Sequence, residues 1–292
     1  MKRILYLAIT CMAIMFVSCG PNNGPEGGNG DNKGNKKQHL FSINPDFKQV
    51  SFSEGNLQYN PSKKTWRFAE NPWDYIGAAN ANISENYDGW IDLFAWSGDQ
   101  TLYPYGVGTS NKFKDYTGKF VDWGTNKIGN DKPGTWRTLS HPEWDFLLKG
   151  RPFASELRAI GQVCGVNGLI LLPDSTVVPS DLSFRHDFNP NGGNAVEDYI
   201  NYQVIDASEW KQLKNLGAIF LPAAGARQKN TEDAKEQMTD VVGQERVGYY
   251  WASTIQSGGD VAYAFKFDAD YARFPEMYLM YGFSVRLVKD VE

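Results

Sequence analysis

Apolar and polar positions alternate with a period of two in several runs of the chain, and this pattern predicts β-strands. The runs at 55–59 and 65–68 are separated by a short segment rich in turn-forming residues, which predicts a β-hairpin. Three more runs near the C-terminus, at 249–253, 263–267 and 283–287, show the same alternation. We expect these three to form one antiparallel sheet with one face in the core.

Two short helices are predicted from their first residues. Ser140 and Glu143 have the spacing of a capping box, in which a hydroxyl and a carboxylate accept hydrogen bonds from backbone N–H groups of the first turn. Asp206 and Glu209 repeat that spacing, and Gly217 is expected to end the second helix.

Short apolar segments that end at a proline follow both helices. They lie at 168–173 and 218–222, and we predict a strand for each. Residues 70–136 are rich in Gly, Asn, Asp, Tyr and Trp and have no helical period, so we expect irregular structure there.

The first twenty residues have the pattern of a bacterial export signal. Two basic residues precede a mostly apolar run of fourteen residues at 4–17, which is shorter than the roughly 20 residues of a permanent membrane span. The run ends in Phe-Val-Ser-Cys-Gly at 16–20, which resembles the lipobox of bacterial lipoproteins. The resemblance implies that Cys19 becomes the acylated first residue of the mature chain, with palmitate among its acyl groups. An ordinary cleaved signal with a chance cysteine is the alternative.

Composition divides the chain into three parts. We expect a signal peptide at 1–18, a lipid anchor and flexible Gly/Asn-rich tether at 19–39, and a single domain at 40–292. Removal of residues 1–18 takes away two basic residues and no acidic one. The remaining chain has 27 basic and 34 acidic residues, a net charge of −7. This charge gives no basic footprint for nucleic acid, and three cysteines do not make a disulfide framework.

Three local strings suggest a family. They are Trp-Arg-Thr-Leu-Ser-His-Pro-Glu-Trp at 136–144, Gly-Tyr-Tyr-Trp-Ala-Ser-Thr at 248–254 and Tyr-Gly-Phe-Ser-Val-Arg-Leu-Val at 281–288. In this order, over about 50–290, they resemble the Fibrobacter major paralogous domain and related secreted Bacteroidetes proteins. That family is similar to the C-type-lectin-like fold, which includes formylglycine-generating enzymes and the variable proteins of diversity-generating retroelements. The resemblance implies an α+β fold with two short helices packed on a twisted antiparallel sheet, long irregular insertions and adjacent chain ends.

The chain departs from the active members of that group. Formylglycine-generating enzymes bind copper through two cysteines, but the predicted domain has only Cys164, which we expect to be a small buried apolar residue. The Glu-Pro-Asn, Gln-Pro-Asp and Trp-Asn-Asp calcium strings of sugar-binding lectins are absent from the sequence. The resemblance therefore implies a display scaffold, with ligand contacts between the second and third strings.

The sequence offers little evidence of a metal site. Its three histidines, at 39, 141 and 186, do not have the spacing of a zinc or iron site, and we expect no cofactor. Asp187, Asn189 and Asn191 place hard oxygen ligands in one segment, so calcium is an alternative. An Asn/Gly turn explains the same residues and is the favoured interpretation.

The segment 254–281 is the predicted ligand surface. Within it, the stretch 268–281 concentrates Tyr and Arg, which supply much contact area and hydrogen bonding at recognition surfaces, and we interpret that stretch as binding loops rather than strands. Trp251 and Arg286 are assigned to the scaffold. The candidate ligand-binding residues are Gln256, Asp260, Asp270, Tyr271, Arg273 and Tyr278.

These patterns favour a non-catalytic outer-membrane lipoprotein, displayed at the cell surface, that binds a glycan or a protein. The residues at 20–23 carry no acidic cluster, so a periplasm-facing anchor is an alternative. Two other functions stay open. One is an enzyme acting on polysaccharide through an unrecognised carboxylate pair, and the other is a structural subunit of a surface assembly such as a pilus tip.

Overall fold

A computed structural model of the protein describes residues 39–82, 84–97, 120–228, 240–259 and 261–291. Over these ranges the chain is an α+β protein, made mostly of short strands with a few short helices. The described residues pack as one unit. Within the described part, no helix has the length and apolarity needed to cross a membrane.

The elements are short throughout the described ranges. The strands are β1 (Phe41–Ser42), β2 (Gln49–Phe52), β3 (Leu57–Asn60), β4 (Thr65–Phe68), β5 (Arg137–Thr138), β6 (Arg158–Val163), β7 (Val166–Leu171), β8 (Val204–Ile205), β9 (Ile219–Pro222), β10 (Ala226–Gln228), β11 (Asp240–Val242), β12 (Gly248–Ile255), β13 (Val261–Phe267), β14 (Ala272–Arg273), β15 (Glu276–Tyr278) and β16 (Leu287–Asp290). The helices are α1 (His141–Asp145), which continues as a π-helical turn (Phe146–Gly150), α2 (Val196–Tyr202) and α3 (Ala207–Asn215), with 3-10 turns at Gly77–Ala81 and Trp123–Thr125.

The predicted hairpin is confirmed. β3 and β4 pair in antiparallel register, with Leu57 opposite Phe68 and Asn60 opposite Thr65. Such short alternating runs were enough to predict the hairpin, because the two strands are neighbours in the sequence and are joined by a short turn.

β12, β13, β14 and β15 form the sheet that positions the candidate site. β12 and β13 are antiparallel, with Gly248 opposite Phe267 and Trp251 opposite Ala264. β14 and β15 both pair antiparallel with β13. Successive residues of β13 face two different cores, because Ala264 belongs to one buried cluster and Phe265 to another. The sheet is therefore buried on both faces along most of its length, rather than on the one face that was predicted.

A second sheet has the order β8-β6-β7-β9. The two apolar segments that the sequence predicts as strands pair with each other here, with Gly168 opposite Pro222. Leu169 and Leu171 face the cluster that contains Phe265, whereas Ile170 faces a third cluster against α3. The cluster that contains Phe265 therefore lies between the two sheets. The cluster of Ala264 and the cluster of Ile170 lie on their outer faces.

The ends of the described chain meet in a third sheet, as the resemblance implies. Its order is β1-β2-β16-β5, and Val288 of β16 lies between Phe52 and Arg137.

Arg286 ties several layers together from a buried position. Its guanidinium donates to Phe220 O at 2.6 Å, to Glu54 O at 2.8 Å and to Asn56 Oδ1 at 3.1 Å. Burial lowers the pKa of Arg286 to about 10, so the side chain stays charged at neutral pH. Arg286 and Trp251 both lie in the core, consistent with the scaffold role expected of them.

The helix caps are confirmed in part. Ser140 and Glu143 form the predicted capping box, with Glu143 Oε2 accepting from Ser140 N at 2.7 Å. Asp206 caps α3 by accepting from Glu209 N at 2.8 Å, but the Glu209 carboxylate accepts from Ser183 N instead of completing a box.

Gly217 follows α3 as predicted, at φ +90°, a conformation that L-residues with a side chain rarely adopt. A side chain there would also meet His39, because a Cβ on Gly217 would lie 2.2 Å from the His39 Cβ.

Three expectations are wrong. The run 283–287 is not a strand of the β12–β13 sheet: Ser284 bridges Tyr250 in parallel, and only Leu287 enters a strand, β16, of another sheet. The helix α2 was not expected, because its N-cap, Ala195, supplies no side-chain cap. Cys164 is half-buried rather than buried, because it lies in the turn between β6 and β7 with φ at +49°.

Candidate functional site

One end of the β12–β15 sheet brings together the cationic and aromatic residues of the predicted ligand surface. Tyr249 on β12 lies opposite Lys266 on β13, which lies opposite Arg273 on β14. Directly opposite residues of neighbouring strands place their side chains on the same face. Tyr271, which comes just before β14, extends this row, and we call Tyr249, Lys266, Tyr271 and Arg273 the tyrosine rim.

Cation–ring contacts hold the tyrosine rim in place. The Lys266 Nζ lies 5.8 Å from the ring centre of Tyr249 and 5.7 Å from that of Tyr271. The Arg273 guanidinium lies 4.8 Å from the ring centre of Tyr271. Such contacts stabilise by about 0.5–1 kcal/mol each at exposed sites. Tyr271 is 36% exposed and Arg273 is exposed as well, so both present polar atoms to solvent.

A buried carboxylate orders the loop that carries Tyr271. Asp268 is fully buried, and its Oδ1 accepts from the backbone N of Asp270 at 3.1 Å and of Tyr271 at 3.2 Å. Its Oδ2 lies 3.5 Å from Lys266 Nζ. The buried carboxylate of Asp268 thereby holds the Lys266 ammonium between the rings of Tyr249 and Tyr271.

Tyr278 lies on β15, at the other end of the same sheet. Tyr278 is 43% exposed and stands opposite Val261, roughly 17 Å from Lys266 at the usual strand rise. A chain of ring contacts links the two ends, since Tyr278 lies 5.7 Å from Tyr281, and Tyr281 lies 6.1 Å from Phe283. Phe283 in turn stacks on Tyr249, with ring centres 4.6 Å apart.

Gln256 and Asp270, like Tyr278, are not part of the tyrosine rim. Gln256 lies in the turn between β12 and β13, where its Oε1 accepts from Gly258 N at 2.8 Å. Asp270 is exposed beside the loop that Asp268 orders. Asp260 lies outside the described residues.

The interpretation of 268–281 as binding loops rather than strands is wrong in part. The segment contains β14 and β15, which pair with β13, so only the connections between them are irregular. Tyr249 and Lys266 were also missed as site residues, because the alternation that predicted their strands gave no sign that one face emerges from the core. The sequence does hold one signal that could have identified them. Lys266 is charged, whereas Ala262 and Ala264, which share its face of β13, are apolar.

A polar cluster borders β13 and β15 at the start of α1. The ring of His141 stacks on Tyr263 with centres 4.1 Å apart, and Tyr263 Oη donates to Glu276 Oε1 at 3.2 Å. Burial lowers the pKa of His141, which favours the neutral imidazole at pH 7. The cluster can donate and accept hydrogen bonds.

Two of the three candidate calcium ligands, Asp187 and Asn189, use their side-chain oxygens in contacts within the protein. The Asp187 carboxylate pairs with the Arg158 guanidinium at 2.9 Å, and Asn189 Oδ1 accepts from Asn191 N at 3.1 Å. The first contact ties the segment to β6, and the second lies within a turn. Within the described ranges, no three His, Cys, Asp or Glu side chains come together in a way that holds a metal ion.

A groove on another part of the surface was not predicted at all. It has a volume of about 740 Å³ and lies between the segments that contain Phe47, Phe153 and Val177. The residues come from distant parts of the sequence, and none belongs to a motif.

In comparison with known proteins, no family model, no curated protein and no solved structure matches the chain.

Proposed function

We propose that the chain is a lipid-anchored binding protein of the bacterial envelope, with a C-type-lectin-like domain that recognises a glycan or a protein through the tyrosine rim. The observation that carries the proposal is the ordered row of Tyr249, Lys266, Tyr271 and Arg273 across three strands. Side chains already held in place lose little entropy on binding, and tyrosine and arginine give large contact areas.

The contacts between the three sequence strings support the fold part of the proposal. Thr254 of the second string accepts through Oγ1 from His141 N of the first at 3.0 Å. Leu287 of the third string pairs with Thr138 of the first. The residues that carry the resemblance thus belong to one packed unit.

The test uses residues 20–292 without the acyl group, applied to glycan and protein arrays. Any ligand found is then measured with the double variant Tyr271→Ala/Arg273→Ala, which we expect to bind at least tenfold more weakly with an unchanged melting temperature. The matched control is Arg67→Ala/Trp90→Ala, which removes a similar stack, 4.0 Å from guanidinium to ring, elsewhere on the surface. Undiminished binding by the Tyr271/Arg273 variant would remove the rim from consideration.

The same preparation tests the alternative of an enzyme. Release of reducing ends from an array polysaccharide, lost in Glu276→Gln and retained in Tyr271→Ala/Arg273→Ala, would favour catalysis near His141 and Tyr263 over simple binding.

A further inference from the structure

The groove beside Phe47 and Phe153 has the dimensions of a small-molecule site. Its volume of about 740 Å³ falls within the range of roughly 300–1,000 Å³ found for such sites. Most of its lining is apolar, and Leu157 and Phe184 contribute to it. No residue of the tyrosine rim lines it, so it is a separate feature of the described surface.

Three apolar side chains that line the groove are exposed to solvent. Phe47 is 56% exposed, Phe153 is 69% exposed and Val177 is 82% exposed. Exposed apolar area of this kind on neighbouring loops marks interaction surfaces, because each side chain forgoes the free energy of burial.

The two phenylalanines also hold unfavourable backbone conformations. Phe47 has φ at +56° and Phe153 has φ at +59°, a region that bulky residues rarely occupy. Glycine or asparagine would fit both positions better, so the backbone gives no reason for a phenyl ring there. The Phe47 ring has an edge contact with Phe146, with ring centres 6.4 Å apart, but more than half of its surface stays in water.

The charge of the groove is negative. Two carboxylates line it, Glu156 and Asp174, together with one histidine and neither lysine nor arginine. Asp174 is compensated from behind by Arg151, whose side chain is fully buried and lies 2.9 Å from it. Glu156 is exposed and makes no ion pair within the described part of the chain, so its charge is available to a ligand.

We propose that this groove binds a small amphiphile with an apolar body and a positively charged amino group. The body lies against Phe47, Phe153 and Val177, and the ammonium pairs with Glu156. An anionic amphiphile of the same length would meet Glu156 as a like charge.

The experiment compares dodecylamine, dodecanol and dodecanoate, which share one chain length and differ in charge. Each is titrated below its aggregation threshold against residues 20–292 carrying a neutral fluorescent apolar probe, and displacement is measured. We expect dodecylamine to displace the probe at about tenfold lower concentration than dodecanoate, with dodecanol between them.

Two variants assign the effect to the groove. Glu156→Gln is expected to abolish the preference for the amine and to leave dodecanol unchanged. Phe153→Asn is expected to weaken all three ligands by about tenfold while keeping the fold, since asparagine tolerates a positive φ. Ile200→Gln, which removes an exposed apolar residue that does not line the groove, is the matched control.

The proposal is overturned if amine and carboxylate bind equally to the unaltered chain, or if Phe153→Asn binds all three as well as the control does. A urea midpoint for each variant distinguishes lost binding from lost folding. The proposed function of the tyrosine rim is tested separately, with the array ligand and the Tyr271/Arg273 variant. A groove that binds no amphiphile would therefore leave that proposal unaffected.

Discussion

Asp92 is a carboxylate with no access to solvent. Its Oδ1 accepts from Asn80 Nδ2 at 2.8 Å and its Oδ2 from Ile76 N at 3.0 Å, while Asn80 Oδ1 accepts from the backbone N of Asp92 and Leu93. These bonds hold the 3-10 turn at Gly77–Ala81 against the core. Burial raises the pKa of Asp92 to about 6, although the hydrogen bonds oppose that rise.

This raised pKa makes stability depend on pH in a defined direction. The folded protein binds the Asp92 proton more tightly than the unfolded chain, so the linked stability is complete below the ordinary pKa of 3.8 and is lost as pH rises through about 6. We expect the free energy of unfolding of the unaltered chain, relative to Asp92→Asn, to fall by about 2 kcal/mol between about pH 4.5 and about pH 7.5.

Urea unfolding of both proteins across this range measures the difference. Subtracting the variant removes the contribution of other titrating groups, and the asparagine amide changes stability by an amount that does not depend on pH. Parallel curves for the two proteins would show that Asp92 has an ordinary pKa in the folded state.

At the scale of elements, α1 and α3 begin in related ways but differ in what their caps touch. Glu143 completes the capping box and also pairs with Arg137 through both carboxylate oxygens, at 2.8 and 2.9 Å. Arg137 pairs in addition with Asp290 on β16 at 2.9 Å, which holds the pKa of Asp290 below its usual value. Asp206 caps α3 without such a connection.

Removal of these caps should therefore have unequal effects. We expect Ser140→Ala and Asp206→Ala each to lower the free energy of unfolding by about 1 kcal/mol, and Glu143→Ala to lower it by about 2 kcal/mol. Urea denaturation at neutral pH measures all three. Equal losses for Ser140→Ala and Glu143→Ala would mean that the ion pair of Glu143 with Arg137 contributes nothing.

The elements that the sequence predicts correctly are those with local signals. The hairpin β3–β4 has its turn between its strands, and Ser140, Asp206 and Gly217 act on adjacent backbone. What the sequence does not specify locally is pairing at a distance. β7 and β9 look alike as isolated apolar segments, and only the folded chain places them side by side.

At the scale of the whole molecule, the candidate site also combines residues that have a local sequence signal with residues that are brought together only by folding. Tyr271 and Arg273 could be proposed from the sequence because Tyr and Arg are concentrated in one stretch of it, and their role in binding stays a prediction. Their partner Lys266 could not be proposed in this way, since its role depends on the buried carboxylate of Asp268 and on the cross-strand register. The groove was beyond sequence reasoning, because Phe47 and Val177 meet there only through folding.

The lipid anchor proposed at Cys19 determines where the whole molecule is located. We expect the acyl chains, and not charged residues, to hold the protein on the membrane. Each buried CH₂ of an acyl chain contributes about 0.8 kcal/mol, and two or more chains hold a protein on a membrane stably. A net charge of −7 after removal of residues 1–18 offers no attraction to anionic lipids. We therefore expect the protein made in an acylating bacterial host to sediment with membranes through a wash at about 1 M salt, where electrostatic adsorption is screened.

Cys19→Ser should move the protein to the soluble fraction and lower the mass of the mature chain by the acyl groups. Cys11→Ser, a cysteine substitution inside the predicted export signal, is the matched control and should stay on the membrane. Salt-resistant sedimentation of Cys19→Ser would assign the attachment to another part of the chain. Protease treatment of intact cells then separates the two orientations, because only a surface-displayed domain is digested while the outer membrane is whole.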